Sequence, residues 1–214
     1  LAIDVSTSML AEDLKPNRLE AAKDVAAEFI NGRPNDNIGI TLFAGETFTQ
    51  CPLTVDHAVL LDMIHNIKCG LITDGTAVGM GIANAVTRLK DSKAKSKVII
   101  LLTDGTNNKG DISPMTAAEI AKSFGIRVYT IGVGTNGMAP YPYPVGNTVQ
   151  YVSMPVEIDE KTLTEIAGTT DGNYFRATSN SKLKEVYEEI DKLEKTKLNV
   201  KEYSKRDEEY HWFA

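Results

Sequence analysis

Leu1-Ala2-Ile3-Asp4-Val5-Ser6-Thr7-Ser8-Met9 is the stretch on which the fold turns: an apolar strand pattern that gives way to Asp, Ser and Ser at alternating positions, where a strand would leave its sheet. Side chains two apart on a strand share a face, so the alternation predicts three oxygen-bearing groups on one side. Outward from it, short runs rich in Val, Ile and Leu alternate with helical patterns over residues 1–5, 18–30, 38–43, 55–67, 77–89, 98–103, 115–124 and 127–133. This is βαβα order. Strands that are apolar at nearly every position are buried on both faces, as in a parallel sheet covered by helices. The expected fold is therefore α/β, with a doubly wound, mostly parallel central sheet and helices on both faces, Rossmann-like in layout.

In an open sheet of this kind the ligand crevice lies at the carboxyl ends of the strands. A second strand, residues 98–103, ends there in Asp104-Gly105, and a loop carrying Asp74-Gly75-Thr76 precedes the helix that begins near Ala77. Three segments thus bring Asp4, Ser6, Ser8, Thr76 and Asp104 to one edge. Two carboxylates and three hydroxyls form a set of hard oxygen donors without sulfur or imidazole, which suits Mg²⁺, Mn²⁺ or Ca²⁺ and disfavours Zn²⁺ or Cu²⁺. D-x-S-x-S alone should arise by chance in roughly one chain of this length in twenty, so its place at the end of the first strand gives it weight.

The helix punctuation agrees with this layout. Ser113-Pro114 reads as a cap followed by a first-turn proline, with Gly125 at the far end, which leaves Asp111 in a loop. Asp159 caps a helix through Ala167, residues 173–176 read as a short strand, and Leu183, Val186, Tyr187, Ile190 and Leu193 line one helical face. Two segments lack periodicity: residues 135–148, with Met138, Tyr141 and Tyr143 among prolines and glycines, and the highly charged residues 197–214, which finish on Tyr210-His211-Trp212-Phe213. One domain over residues 1–196 with a charged extension over 197–214 is the expected organisation.

Composition excludes several classes. The net charge of −6 and the mixing of basic with acidic residues leave no stripe for nucleic-acid phosphates. No window of 18 apolar residues suggests a bilayer span. Cys51 and Cys69 form no CxxC pair, and His57, His65 and His211 lack metal-ligand grouping. Gly132-Val133-Gly134-Thr135-Asn136-Gly137 matches a dinucleotide fingerprint, but it runs into Met138-Ala139-Pro140-Tyr141-Pro142 rather than opening a helix. Its glycines are expected to let the chain leave the sheet. The chain opens at Leu1 inside a strand pattern, without an initiator Met, and so reads as a segment of a longer protein.

The opening strand resembles that of von Willebrand factor type A domains, whose metal-ion-dependent adhesion site is built on D-x-S-x-S with a distant Thr and a distant Asp. The matching positions are Asp4, Ser6, Ser8, Thr76 and Asp104. Residues 74–79, 101–105 and 163–175 are similar to the bacterial aerotolerance (Bat) subgroup, so the resemblance covers nearly the whole chain. It implies Ser6 and Ser8 as direct ligands, Thr76 as a conditional one that replaces Asp104 when a partner binds, and Asp4 and Asp104 as direct or water-mediated partners. It also implies a domain tethered by membrane segments absent from this chain, in a bacterial inner-membrane parent and on the periplasmic side.

The expected function is accordingly a non-enzymatic, Mg²⁺-dependent interaction module that binds an acidic side chain of a protein partner. Two alternatives stand beside it: a Mg²⁺-dependent hydrolase and a scaffold with a vestigial metal site. A haloacid-dehalogenase-like enzyme would want a second Asp where Ser6 stands, and no G-x-S-x-G elbow is present. Residues 135–148 and 45–52, with Asn107, Asn108 and Asp111, are expected to rim the site.

Overall fold

Strands that are apolar at every position need cover on both faces, and the computed structural model, which describes residues 1–146 and 148–210, supplies it. The chain opens with β1 (Ala2–Asp4) and a 3-10 helix (Thr7–Leu10), followed by α1 (Arg18–Asn31), β2 (Ile38–Phe43), β3 (Thr47–Thr54), α2 (His57–His65) and α3 (Val78–Leu89). Next come β4 (Lys97–Thr103), α4 (Pro114–Ser123), β5 (Ile126–Val133), β6 (Met138–Val145), β7 (Thr148–Pro155), α5 (Glu160–Thr169), β8 (Tyr174–Ala177) and α6 (Asn180–Tyr210). Alternate strand residues serve two cores. Ile3, Ile100, Leu102, Tyr129 and Ile131 meet α1, α2 and α6 on one face, while Ala2, Ile99, Leu101 and Val128 meet α3, α4 and α5 on the other.

The six-stranded sheet has the order β3-β2-β1-β4-β5-β8. All neighbours are parallel except β2 and β3. From β1 the chain builds outward through β2 and β3, then crosses back to lay β4, β5 and β8 on the other side. The direction of winding therefore reverses between β1 and β4, and a crevice opens beyond their carboxyl ends. Asp4 is the last residue of β1 and Asp104 follows the last residue of β4.

Ser113 and Asp159 cap their helices as expected from sequence, and the structure adds Asn17 and Asp56. Asn17, Asp56, Ser113 and Asp159 each accept a backbone N–H of the first turn, and Pro114 opens α4. At the opposite end of the sheet, Glu194 of α6 is buried and accepts from Tyr129 Oη at 2.7 Å and Ser96 Oγ at 2.8 Å, with Arg127 as its ion-pair partner.

Three local expectations are corrected. Residues 45–52, read as a loop on the rim, form most of β3, an antiparallel edge strand paired with β2. Residues 135–148, read as an aperiodic loop, belong largely to a β6–β7 hairpin. Its prolines explain both the misreading and the structure. Pro140, Pro142 and Pro144 oppose Ser153, Tyr151 and Val149. In an antiparallel ribbon every second residue turns its backbone groups away from the partner, and prolines occupy that set, where no N–H is required. Pro140 O accordingly accepts from Glu12 N at 2.8 Å. Thirdly, α6 continues to Tyr210, through a stretch rich in the good helix formers Lys and Glu. His211, Trp212 and Phe213 of the aromatic finish lie outside the described residues.

One glycine sets how closely the loop before α4 approaches α3. A Cβ on Gly79 of α3 would stand 2.1 Å from Ile112 O. Gly79→Ala should destabilise the domain by about 2 kcal/mol through overpacking, measured by urea denaturation. An unchanged midpoint would show that this contact yields freely.

Candidate metal centre

Asp4 is wholly buried. Its Oδ1 accepts from Ser6 N at 2.9 Å and its Oδ2 from Thr103 Oγ1 at 2.6 Å. A carboxylate bonded to the N–H two residues on makes an Asx turn. The turn ends β1 and sends the chain into the 3-10 helix, which carries Ser8. Strand alternation, the expected source of the convergence of Asp4, Ser6 and Ser8, stops at Asp4, the last residue of β1. The structure achieves the convergence through this turn and the following 3-10 helix instead.

The other expected residues come to the same place. Ser6 Oγ and Ser8 Oγ are 3.0 Å apart, and Ser8 Oγ donates to Asp104 Oδ1 at 2.7 Å. Thr76 is buried, with its N–H donating to Asn108 Oδ1 at 2.9 Å and its carbonyl accepting from Asn108 N at 3.0 Å. Thr76 Oγ1 lies 3.3 Å from the Cβ position of Gly105, so its hydroxyl stands beside the residue that follows Asp104. Asp4, Ser6 and Asp104 are buried while Ser8 is exposed, which gives the group a closed floor and one open side.

Several supporting residues carry no local sequence signal. Asp74 accepts from Thr7 N at 3.0 Å and Thr7 Oγ1 at 2.8 Å, which ties the loop before Thr76 to the 3-10 helix. Thr103 looks like the end of an apolar strand in sequence, yet its hydroxyl serves Asp4. Of the rim residues, Asn108 anchors Thr76, whereas Asp111 is exposed. Cys69 Sγ donates to Ser6 O at 3.3 Å, and both Cys69 and Cys51 are free thiols. Arg18, at the start of α1, donates from Nη1 to Asp104 Oδ2 at 2.7 Å.

Electrostatics at this edge are demanding. Burial, with Asp104 alongside, pushes the Asp4 carboxyl up to about 7, against the hydrogen bonds from Thr103 and Ser6 that lower it. Burial raises Asp104 as well, and the Arg18 guanidinium opposes that rise. Charge taken out of water in this way is stabilised by a nearby cation, and a divalent ion reverses the tendency towards protonation. The donor set fits such an ion. Adjacent ligands of octahedral Mg²⁺ stand about 3 Å apart, and the two serine oxygens are spaced at 3.0 Å. Among the described residues no group of three or more His, Cys, Asp or Glu is arranged for a metal. A cavity of about 580 Å³ around Leu1, Arg33, Lys97 and Glu194 opens at the other end of the strands, and a cation has no need of it.

Comparison with known proteins places these residues in context. The family model of the von Willebrand factor type A domain matches residues 1–189. The crystal structure of BatB from Bacteroides thetaiotaomicron is 34% identical, with a TM-score of 0.77 over 90% of this chain and 96% of that one. An aerotolerance-related membrane protein from Bacteroides fragilis is also 34% identical, with a TM-score of 0.75 over 88% of this chain and 96% of that one. Proximal thread matrix protein 1 from the mussel byssus, solved with a zinc-occupied MIDAS motif, is 25% identical, with a TM-score of 0.68 over 89% of this chain and 43% of that one. The chain spans 57–60% of the length of curated bacterial relatives to which it is 28–31% identical.

Thr103→Val keeps the side-chain shape and removes the donor to Asp4 Oδ2. The metal-free domain should lose about 2 kcal/mol, the cost of leaving a buried carboxylate oxygen without its partner, as read by equilibrium denaturation in chelator. Wild-type stability would mean that Asp4 does not rely on this bond.

Proposed function

Because this chain belongs to the von Willebrand factor type A domain family, in its bacterial aerotolerance (Bat) group, we propose that it is a protein-interaction module whose contact is made through a divalent cation, Mg²⁺ in the first instance. Domains of this family are generally interaction modules rather than enzymes, and they commonly bind a divalent metal at the equivalent site. The observation that carries the reading is the run of oxygens Ser6 Oγ, Ser8 Oγ and Asp104 Oδ1, spaced at 3.0 and 2.7 Å at the winding reversal of the sheet. The zinc-occupied MIDAS motif of the mussel protein supports it.

In this reading Ser6 and Ser8 bind the ion directly. Asp4, whose oxygens already accept from Ser6 N and Thr103 Oγ1, acts through water. Thr76 and Asp104 are alternative ligands. With Asp104 out of direct contact the ion keeps more of its charge, and an acidic side chain of the partner fills the open position on the Ser8 side. One charge-assisted contact does not choose a partner, so shape and apolar area must come from the surroundings. The β6–β7 hairpin offers both. Met138, Tyr143, Val149, Tyr151, Val152 and Met154 are exposed on it. Tyr151 Oη donates to Glu12 Oε1 at 2.9 Å, just beyond the 3-10 helix that bears Ser8.

Kinship with a Bacteroides fragilis membrane protein supports a domain carried by a membrane protein, and we propose that it stands on the periplasmic side of a bacterial inner membrane. Among the described residues no helix is long and apolar enough to cross a membrane, so in this proposal the anchoring segments belong to the remainder of the parent.

Capture from a membrane extract tests the partner contact. Wild-type domain in Mg²⁺ should retain a partner that is lost in chelator and with Ser6→Ala or Asp104→Ala. Retention unchanged across all three conditions would refute a metal-bridged contact.

A further inference from the structure

Arg18 and Asp13 lie outside the set of oxygens just described, yet Arg18 joins Asp13 to Asp104 through two deeply buried ion pairs. Arg18 is 3% exposed. Its Nε and Nη2 donate to Asp13 Oδ1 and Oδ2, each at 2.7 Å, and its Nη1 donates to Asp104 Oδ2 at 2.7 Å. Asp13 also accepts from Thr135 N at 2.8 Å and Thr135 Oγ1 at 3.1 Å, at the root of the β6–β7 hairpin. Gly134 makes the seat for the guanidinium: a Cβ there would stand 2.9 Å from Arg18 Nη2, and its φ of +142° suits glycine. One cation is thus shared unequally between two buried carboxylates, with a fork to Asp13 and a single bond to Asp104.

We propose that Arg18, bonded to Asp104 Oδ2 while Oδ1 stands in the run of oxygens, is a positioning residue that limits how far Asp104 commits to the metal, and that Asp13 is the counter-charge that keeps Arg18 paired whenever Asp104 gives both oxygens to the ion. The inference rests on the reading of this edge as a metal centre. Its physical basis is the high cost of a buried charge without a partner. Were Asp104 the only partner of Arg18, its movement to the ion would strand a guanidinium in the interior. The bidentate pairing with Asp13 removes that cost, so the exchange gives up a single charge-assisted bond. The cation and Arg18 therefore compete for one carboxylate on nearly even terms. The competition weakens the grip on the ion and leaves it more electrophilic towards an acidic partner. Because Thr135 hangs on the same Asp13, the state of the metal edge is joined to the base of the hairpin.

The test is calorimetric titration of the metal-stripped domain with Mg²⁺, for wild type, Arg18→Gln and Asp13→Asn. Arg18→Gln frees Asp104 and removes a positive charge, so it should bind Mg²⁺ roughly tenfold tighter, while Asp13→Asn commits Arg18 to Asp104 and should bind roughly tenfold weaker. Thermal melting supplies a second readout: Arg18→Gln should melt below wild type in chelator, and Mg²⁺ should raise its Tm by more than it raises that of wild type. Weaker binding by Arg18→Gln would overturn the inference, since Arg18 would then be presenting Asp104 as a ligand. Unchanged affinity in both variants would overturn it too. If Arg18→Gln does not fold, the sign for Asp13→Asn decides. Failure of folded wild type to bind Mg²⁺ would refute the metal centre itself, and this inference with it, whereas normal wild-type binding with the wrong signs in the variants would refute the inference alone.

Discussion

The architecture of this domain answers one constraint: two carboxylates, Asp4 and Asp104, are held out of water at the same edge of a parallel sheet. Neither is tolerated there without compensation. Asp4 is compensated by the Ser6 amide and the Thr103 hydroxyl, Asp104 by the Ser8 hydroxyl and the Arg18 guanidinium. Each partner comes from a different part of the chain. The Asx turn after β1, the strand end of β4 and the start of α1 are therefore fixed relative to one another by the same few bonds.

The sheet provides the place for this and the helices provide its rigidity. Winding reverses between β1 and β4, so their carboxyl ends face a crevice with no crossover above it. Asn108 holds Thr76 at the lip, and Asp74 ties the preceding loop to the 3-10 helix. At the far end of the sheet Glu194 binds α6 to β5 and to Ser96, the residue before β4. The hairpin is the exception to this economy. All of β7 is exposed, and apolar side chains stand on a ribbon whose outer edge is lined with prolines. A ribbon of this kind resists pairing through β6 while presenting contact area beside the crevice.

The sheet and its site were legible in sequence to the extent that they rest on local patterns. Buried parallel strands show as apolar runs, and D-x-S-x-S shows because its members are adjacent. What sequence could not show was how those members converge, since an Asx turn and a strand ending in alternating polar residues look alike. The hairpin was hidden because prolines ordinarily argue against a strand, and only the pairing register reveals that they fall at outward positions. Thr103 was hidden because a hydroxyl at the end of an apolar run also reads as strand. Arg18 was hidden for a deeper reason: its ion pair with Asp104 spans 86 residues and has no periodicity or motif to mark it, and Asp13, five residues before Arg18, lies in a loop with no pattern of its own. The buried pairs around Asp104 thus lie where sequence patterns are silent.

The central claim is that Ser6, Ser8 and Asp104 bound a divalent cation, and anomalous diffraction tests it most directly. Crystals of the domain grown with Mn²⁺ should show an anomalous peak within ligand distance, about 2.2 Å, of Ser6 Oγ and Ser8 Oγ, and the peak should vanish for Ser6→Ala. An ordered domain with those oxygens still bonded to one another and no peak at saturating Mn²⁺ would contradict the account.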